Sequence, residues 1–481
     1  MIAKADVLVL DVGTSSVKAV LFDREGRVRG EHEVAYATHS AAGGHEEQRP
    51  EDWWSAAVAA TSRLDTGHVE CISLAGTMQS VIPLDIAGRP VRPAMLYSDA
   101  RAGALFRHLA PQFDRLGAGA LLGNQPNEYM SVFKMAWLRQ HEPDAFRRAQ
   151  VLHSGAKDFV LYQLTGEHAT DPTAATTVGL MDIRSRDWSP ELADAAGIPL
   201  AALPRIAAAD AEIGVTLHAA ASALGVSSGV PVVNGCGDAG AATLGAGVTH
   251  SESAYAYLGT SAWVAVVREV AALTLPHELY TLAHPSEGLA IRIAAMLCGG
   301  DSAAWFAAVA GSSFEMLERQ LSDVDRAAPD LLFLPYLKGE RSPFLDPKVR
   351  GAFIGLERSH GAAELYYAVL EGVALALAAN MDALGIGSAD IRLIGGGAAS
   401  ATWGQLIADV SGRGVVVARV PTAATAYGAF RVAAARSGCP ERSEEWARRY
   451  VPRDERAARA ENRRRLFNDL TQQVRRWTQR I

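Results

Sequence analysis

The stretch that most restricts what this chain can become is residues 7 to 23, VLVLDVGTSSVKAVLFD. An apolar run reaches Asp11, turns through Gly13, Thr14 and Ser15, and resumes as a second apolar run, which reads as strand, tight turn and returning strand. Gly13 permits a backbone conformation that a side chain obstructs, and it leaves the following N–H groups free to face an anion. With two small hydroxyl residues and an acid at the strand end, such a turn can hold a polyphosphate, and its magnesium ion through water on the carboxylate. An ordinary hairpin that uses Asp, Gly, Thr and Ser for local geometry stays open for the stretch taken alone.

The device occurs twice. Gly259-Thr260-Ser261-Ala262-Trp263-Val264-Ala265-Val266 follows the apolar run AYAYL, much as Gly13-Thr14-Ser15-Ser16-Val17-Lys18-Ala19-Val20 follows VLVLDV. Copies half a chain apart imply two similar domains facing each other rather than a short-period solenoid. Tyr257 stands where the first copy has Asp11, so the halves are chemically unequal.

At 481 residues the chain exceeds one compact core, and the echo favours two domains: 1–247, and 248–481 with a charged helical tail from about 441. A net charge of −7 offers no general attraction to nucleic acid or an acidic membrane, so a small-molecule partner is expected. Cys71, Cys236, Cys298 and Cys439 are scattered without CxxC spacing, which indicates neither zinc nor a disulfide framework. The first strand follows the N-terminus almost directly, and no apolar stretch is read as long enough to span a membrane; a cytoplasmic enzyme is the expectation.

Further along, His45, Glu47 and Gln48 lie in a polar loop where each either touches a polar substrate or is solvated, and Trp53 and Trp54 read as helix packing. The strand from Cys71 to Asp85 breaks at Gly76-Thr77-Met78-Gln79. The break either presents Met78 and Gln79 to a ligand such as a sugar or is a bulge with Met78 in the core. Asp99, two positions before Arg101, is a further candidate, with a helix cap as its alternative. Lys134, in the helical stretch YMSVFKMAWLRQH, is expected to face solvent, and Lys157-Asp158 open another helix. In GVPVVNGCGDAGAATLGAGV, Asp238 ends an apolar strand among glycines, as a cleft acid or as the N-cap of the following helix. Gly299-Gly300 and the triplet Gly395-Gly396-Gly397 before Ala398 each join a strand to a helix; the triplet either admits a flat base or ribose or serves close packing.

On these residues the chain resembles the FGGY family of carbohydrate kinases, within the actin/hexokinase/Hsp70-like superfamily. Two long signatures stand intact: Tyr129-x-Ser131-x-x-Lys134-Met135-x-Trp137-Leu138-x-Gln140-His141, and Gly351-x-Phe353-x-Gly355-Leu356 followed after seven residues by Glu364-Leu365-x-x-Ala368-Val369-Leu370-Glu371. The resemblance implies an α/β fold of two actin-like, ribonuclease H-like domains with an interdomain cleft, binding ATP, Mg2+ and a sugar, with a homodimer as a family-level expectation. It implies that Asp11, Thr14 and Ser15 handle magnesium and phosphates, that Gly259 and Thr260 hold the terminal phosphate, and that Gly300 and Gly395 to Ala398 shape the adenosine site. Asp238 matches the catalytic base of the family's GxGD motif, and Met78 and Gln79 the sugar-contacting pair. The acceptor so implied is the primary hydroxyl of a ketose, D-xylulose in the members whose pieces look most alike; gluconate, ribulose, glycerol or another polyol stays open as the acceptor, and a chaperone-like ATPase on the same fold is the alternative from another class. Two departures sit in the sugar pocket: Gln79 where those members usually have His, and Ala239 where Asn is common.

Overall fold

The computed structural model describes residues 6–275, 279–321, 324, 330–418, 423–436 and 446–480. Cys439 and the first residues of the expected tail, 441–445, lie outside them. The chain divides into two compact units, Met1–Gly245 with Arg268–Ile291 and Thr425–Ser443, and Ala246–Val267 with Arg292–Ala424 and Glu444–Ile481. Two segments beyond residue 247 thus belong to the first unit.

The sheet of the first unit has the strand order Glu212–Val215, Pro231–Gly237, Val69–Gly76, Asp6–Val12, Ser16–Asp23, Val28–Ala35. Its three middle strands are parallel, and the hairpin from Asp6 to Asp23 is the one read from the sequence. Because the apolar runs are buried on both faces, their side chains sort by the period of two. Leu8, Leu10 and Val12 pack with Trp53 of the helix Pro50–Thr61 and Phe159 of the helix Ala156–Thr165. Val7 and Val9 pack with Ala241 and Leu244 of the helix Asp238–Gly245, and with Phe430 and Ala433 of the helix Ala424–Arg436. Asp11 shares the parity of Val7 and Val9, so its carboxylate belongs to the face covered by the helix that begins at Asp238.

In the second unit the strands run in the order Leu289–Met296, Ala262–Glu269, Ala254–Leu258, Ile391–Ile394, Val415–Ala418, Trp446–Tyr450. The hairpin of Ala254–Leu258 and Ala262–Glu269, with Ile391–Ile394 parallel beside it, repeats the plan of the first sheet. The two turns differ by one residue. Gly13 N–H donates to Ser16 O at 2.9 Å, whereas Gly259 N–H donates to Ser261 O at 3.0 Å. The shorter turn slides the return strand, so Tyr257 pairs with Trp263 and stacks on it at 3.8 Å, where Asp11 pairs with Lys18.

Two expectations are corrected here. Among its described residues the tail begins as a strand rather than a helix: Trp446–Tyr450 is an edge strand against Val415–Ala418, and the helix spans Ala457–Thr478. An edge strand tolerates the alternating Arg448 and Arg449, whose charges dominated the composition of that stretch. The helix does pack on one face, burying Ala460, Arg463, Phe467 and Thr471. Arg463 reaches Glu371 at 3.1 Å through Nε and the carbonyl of Leu331 at 2.6 Å. The helix Ala362–Ala383 is, by length and composition, able to cross a membrane, contrary to the sequence reading; 72% of its apolar window is buried within the protein, as for a core helix.

The strand that delivers Asp238 is irregular by design of its backbone. Its register against Val69–Gly76 shifts between Val233 and Cys236. At that point Gly235 has φ +68°, and a Cβ there would lie 1.7 Å from Leu74 O. Neither the torsion nor the contact tolerates a side chain. Gly235→Ala is expected to lower unfolding stability by roughly 3 kcal/mol or more, read by chemical denaturation; a loss near the ~1 kcal/mol of a positive φ alone would contradict the contact.

Candidate active site

The first turn is held from behind. The Tyr36 hydroxyl donates to Gly13 O, Tyr36 N–H donates to Ser15 O at 3.0 Å, and Gln48 Nε2 donates to Thr14 O at 2.8 Å. Gln48 is itself fixed by Trp53 Nε1 at 2.9 Å, and it is buried rather than solvated or offered to a ligand. With the turn's carbonyls engaged on that side, the Thr14 and Ser15 side chains stand exposed.

Asp11 lies near the end of its strand, and Asp238 directly follows the end of Pro231–Gly237, close enough for its charge to act on Asp11. Burial, then the charge of Asp238, push the Asp11 carboxyl up to about 7, against the opposing pull of Lys18. Burial raises Asp238 to about 6, offset by the Ala239 N–H at 2.7 Å and reinforced by the charge of Asp171. The helix starts at Asp238 itself, and its carboxylate accepts the adjacent N–H, not one two or three residues on as an N-cap would. Among the described residues no group of three or more His, Cys, Asp or Glu is placed to hold a metal ion.

Met78 is brought to this place: a Cβ on Gly237 would lie 2.1 Å from its sulfur. The loop is anchored on both sides, with Thr77 N–H to Val12 O at 2.9 Å and Ser80 N–H to Ser154 O at 2.9 Å. Between them Gln79 adopts φ +64°, a left-handed conformation that costs a non-glycine residue on the order of 1 kcal/mol or more. Lys134 donates to the carbonyls of Gln79 and Leu96, each at 2.7 Å. It is fully buried, which overturns the expectation of a solvent-facing lysine; desolvation draws its pKa down to about 7, partly countered by Asp99. Asp99 caps no helix: the helix Gly103–Arg115 has Ala102 at its N-cap. Its carboxylate accepts Arg101 Nε at 2.8 Å and Glu46 N–H at 2.8 Å.

In the second unit the glycines converge on the Gly259 turn. Gly299 and Asp301 N–H donate to Thr260 O at 3.0 and 2.9 Å, and Gly300 N–H to Gly259 O at 2.7 Å. A Cβ on Gly300 would lie 2.6 Å from Gly259 O, and one on Gly395, at φ +93°, 2.6 Å from Leu258 O. Close packing therefore accounts for Gly300 and Gly395. Gly396 faces open space, and a short helical turn carries Gly397 and Ala398 onward.

Residues 7–245 match the N-terminal domain, and residues 254–437 the C-terminal domain, of the FGGY family of carbohydrate kinases. The chain belongs to this family. It is 32% identical to the xylulose kinase of Escherichia coli (strain K12) over 97% of this chain and 98% of that protein. It is 31% identical to the glycerol kinase of Bordetella parapertussis over 90% of this chain and 89% of that protein. The crystal structure of xylulose kinase from Rhodospirillum rubrum superposes with a TM-score of 0.87 at 28% identity, covering 98% of this chain and all of that one. The α/β class and the two-domain actin-like fold expected from the sequence are those of this carbohydrate kinase.

Sequence reasoning passed over the support beneath the kinase's acids. Lys157 Nζ lies 2.8 Å from Asp158 and 3.2 Å from Asp171, all three fully buried. Asp171 also accepts the Gly237 N–H at 3.1 Å, directly before Asp238. The Lys-Asp pair opening an apolar helix was the one visible signal. Lys157→Met leaves two carboxylates buried without their cation and is expected to cost roughly 3–5 kcal/mol of stability by denaturant titration; a cost below ~1 kcal/mol would show that the carboxylates simply take up protons.

Proposed function

We propose that this kinase transfers the γ-phosphoryl group of ATP to the primary hydroxyl of a ketose, D-xylulose, giving D-xylulose 5-phosphate. The observation that carries the reading is the pair Asp238 and Asp11, two carboxylates at the ends of parallel strands on either side of Val69–Gly76, the charge of one raising the other, with Met78 packed against Gly237. The choice of D-xylulose is supported by the relatives that bear the name xylulose kinase.

Phosphoryl transfer asks a protein for alignment, neutralisation of charge and an acceptor for the hydroxyl proton. In this reading Asp238 takes the proton from the attacking hydroxyl, and a pKa raised to about 6 makes it a stronger base than an exposed aspartate while leaving it mostly ionised at neutral pH. Met78 and Gln79 line the acceptor, and Asp99, committed to Arg101 and Glu46, holds the wall behind them. Thr14 and Ser15 meet phosphate oxygens through their exposed hydroxyls. Gly259 and Thr260 hold the terminal phosphate, while Gly300, Gly395, Gly396, Gly397 and Ala398 shape the adenosine site, with the open side at Gly396.

The residues fit magnesium bound mainly by water and phosphate. Asp11 is a carboxylate pushed towards protonation by burial and then by the charge of Asp238, and a nearby cation relieves that pressure. When bound, the ion would neutralise charge on the transferring phosphates.

A coupled ADP-release assay across D-xylulose, D-ribulose, glycerol and gluconate tests the substrate: turnover led by D-xylulose is expected, and ATP hydrolysis indifferent to every sugar would sink the kinase assignment. Asp238→Asn is expected to lower kcat by about a thousandfold while calorimetry still detects both ligands. Because the base must be ionised, kcat/KM at saturating magnesium should fall about tenfold per pH unit below about pH 6 and level off above it. A profile flat down to pH 5 would remove Asp238 from that role.

A further inference from the structure

Gln79 stands in a conformation that its own side chain disfavours, and the loop must be told to keep it. Its neighbours are pinned by backbone bonds at Thr77 and Ser80, but those leave the peptide after Gln79 to choose its direction. Among the described residues, the side chain that addresses the Gln79 carbonyl is Lys134, at 2.7 Å. The same ammonium holds the Leu96 carbonyl at 2.7 Å, three residues before Asp99. Lys134 rises from the helix Ser131–His141, whose inner face, Met130 to Leu138, is buried among Phe106, Phe113 and Leu180. The helix is therefore a fixed post. An ammonium fully removed from water is costly, and it is kept here for bonds that fix two loop carbonyls rather than for an ion pair at bonding distance.

We propose that Lys134 is a positioning residue for acceptor discrimination: by binding the Gln79 and Leu96 carbonyls together it holds Gln79 left-handed, so that the Met78–Gln79 pair offers one fixed arrangement to the hydroxyls of a polyhydroxy acceptor. The proposal rests on the reading above, in which Met78 and Gln79 line that acceptor. Loss of the clamp allows Gln79 to relax to an ordinary torsion and turns its amide away. ATP handling, which uses neither carbonyl, is untouched.

The test uses the full-length enzyme with D-xylulose and D-ribulose as acceptors. Lys134→Met is expected to raise the KM for D-xylulose about tenfold or more, the size of losing a charged hydrogen bond, and to narrow the kcat/KM ratio between the two sugars. The KM for ATP should stay within about twofold. Lys134→Arg, whose planar fork does not reproduce one nitrogen between two carbonyls, should fall between the two. Gln79→Gly removes the strain and the amide together, so adding Lys134→Met to it should change the sugar KM by less than about twofold. An unchanged sugar KM and ratio in Lys134→Met overturns the clamp, as does an equal rise in the KM for ATP or an undiminished effect in the Gln79→Gly background. If Lys134→Met fails to fold, Lys134→Arg carries the same comparison, and wild-type discrimination in it overturns the proposal. Gln79→Ala separates the two levels: no change in sugar KM there refutes the acceptor-lining reading, whereas a change there with none in Lys134→Met refutes only the clamp.

Discussion

Burial raises both Asp11 and Asp238, the charge of Asp238 raises Asp11 further, and much of the first unit is arranged around tolerating these two acids. The strand period puts Asp11 on the face where the Asp238 helix begins, so the encounter is built into the sheet. Relief comes from several small sources. Lys18 pairs across the hairpin with Asp11, the Ala239 amide bonds Asp238, and behind them Lys157 gathers Asp158 and Asp171. None of these cancels the pressure, since both acids remain raised. A site left with unspent negative charge repulsion is one that favours a cation, and an acid near its own pKa at neutral pH accepts a proton readily.

The second sheet repeats the hairpin with that conflict removed. One residue fewer in the turn brings Trp263 opposite Tyr257, and a stacked aromatic pair fills the place of the acid and its lysine. The Gly259 turn is then gripped through its carbonyls by the amides of Gly299, Gly300 and Asp301. Such a grip requires backbone against backbone, which is why glycine stands at 299, 300 and 395. The same local device therefore supplies an acid in one unit and a rigid, uncharged turn in the other.

What the sequence made legible was the backbone plan: both hairpins, the strand and helix around Asp238, and the glycine joints. These follow from periodicity and from residues whose conformational limits are local. The unread part was the burial of charge. Lys134 and Lys157 lie on helices whose spacing is compatible with either solvent or core, and only the packing of Phe133, Phe159 and their neighbours settles which. Gln48 looked like loop polarity because the Thr14 carbonyl that it holds is 34 residues away, and the nearby Trp53 joins it only once the helix Pro50–Thr61 has packed. The Trp446–Tyr450 strand was hidden for the opposite reason: five residues of strand are short beside a long Arg-rich helix, and composition over the whole stretch outweighed them.

The buried lysines also separate two uses of the same chemistry. Lys157 neutralises: its ammonium sits between two carboxylates, and its loss exposes them to each other. Lys134 directs: it donates to two neutral carbonyls, so it repays its desolvation through the geometry it enforces. A neutral hydroxyl would meet one carbonyl more weakly than an ammonium does, and it lacks the three N–H groups that let one atom serve two loops from a single post. The strained torsion at Gln79 is where that geometry is spent. Strain at a side chain of half-buried polarity, held by a charge brought in from a packed helix, is the signature of a residue whose direction matters more than its presence.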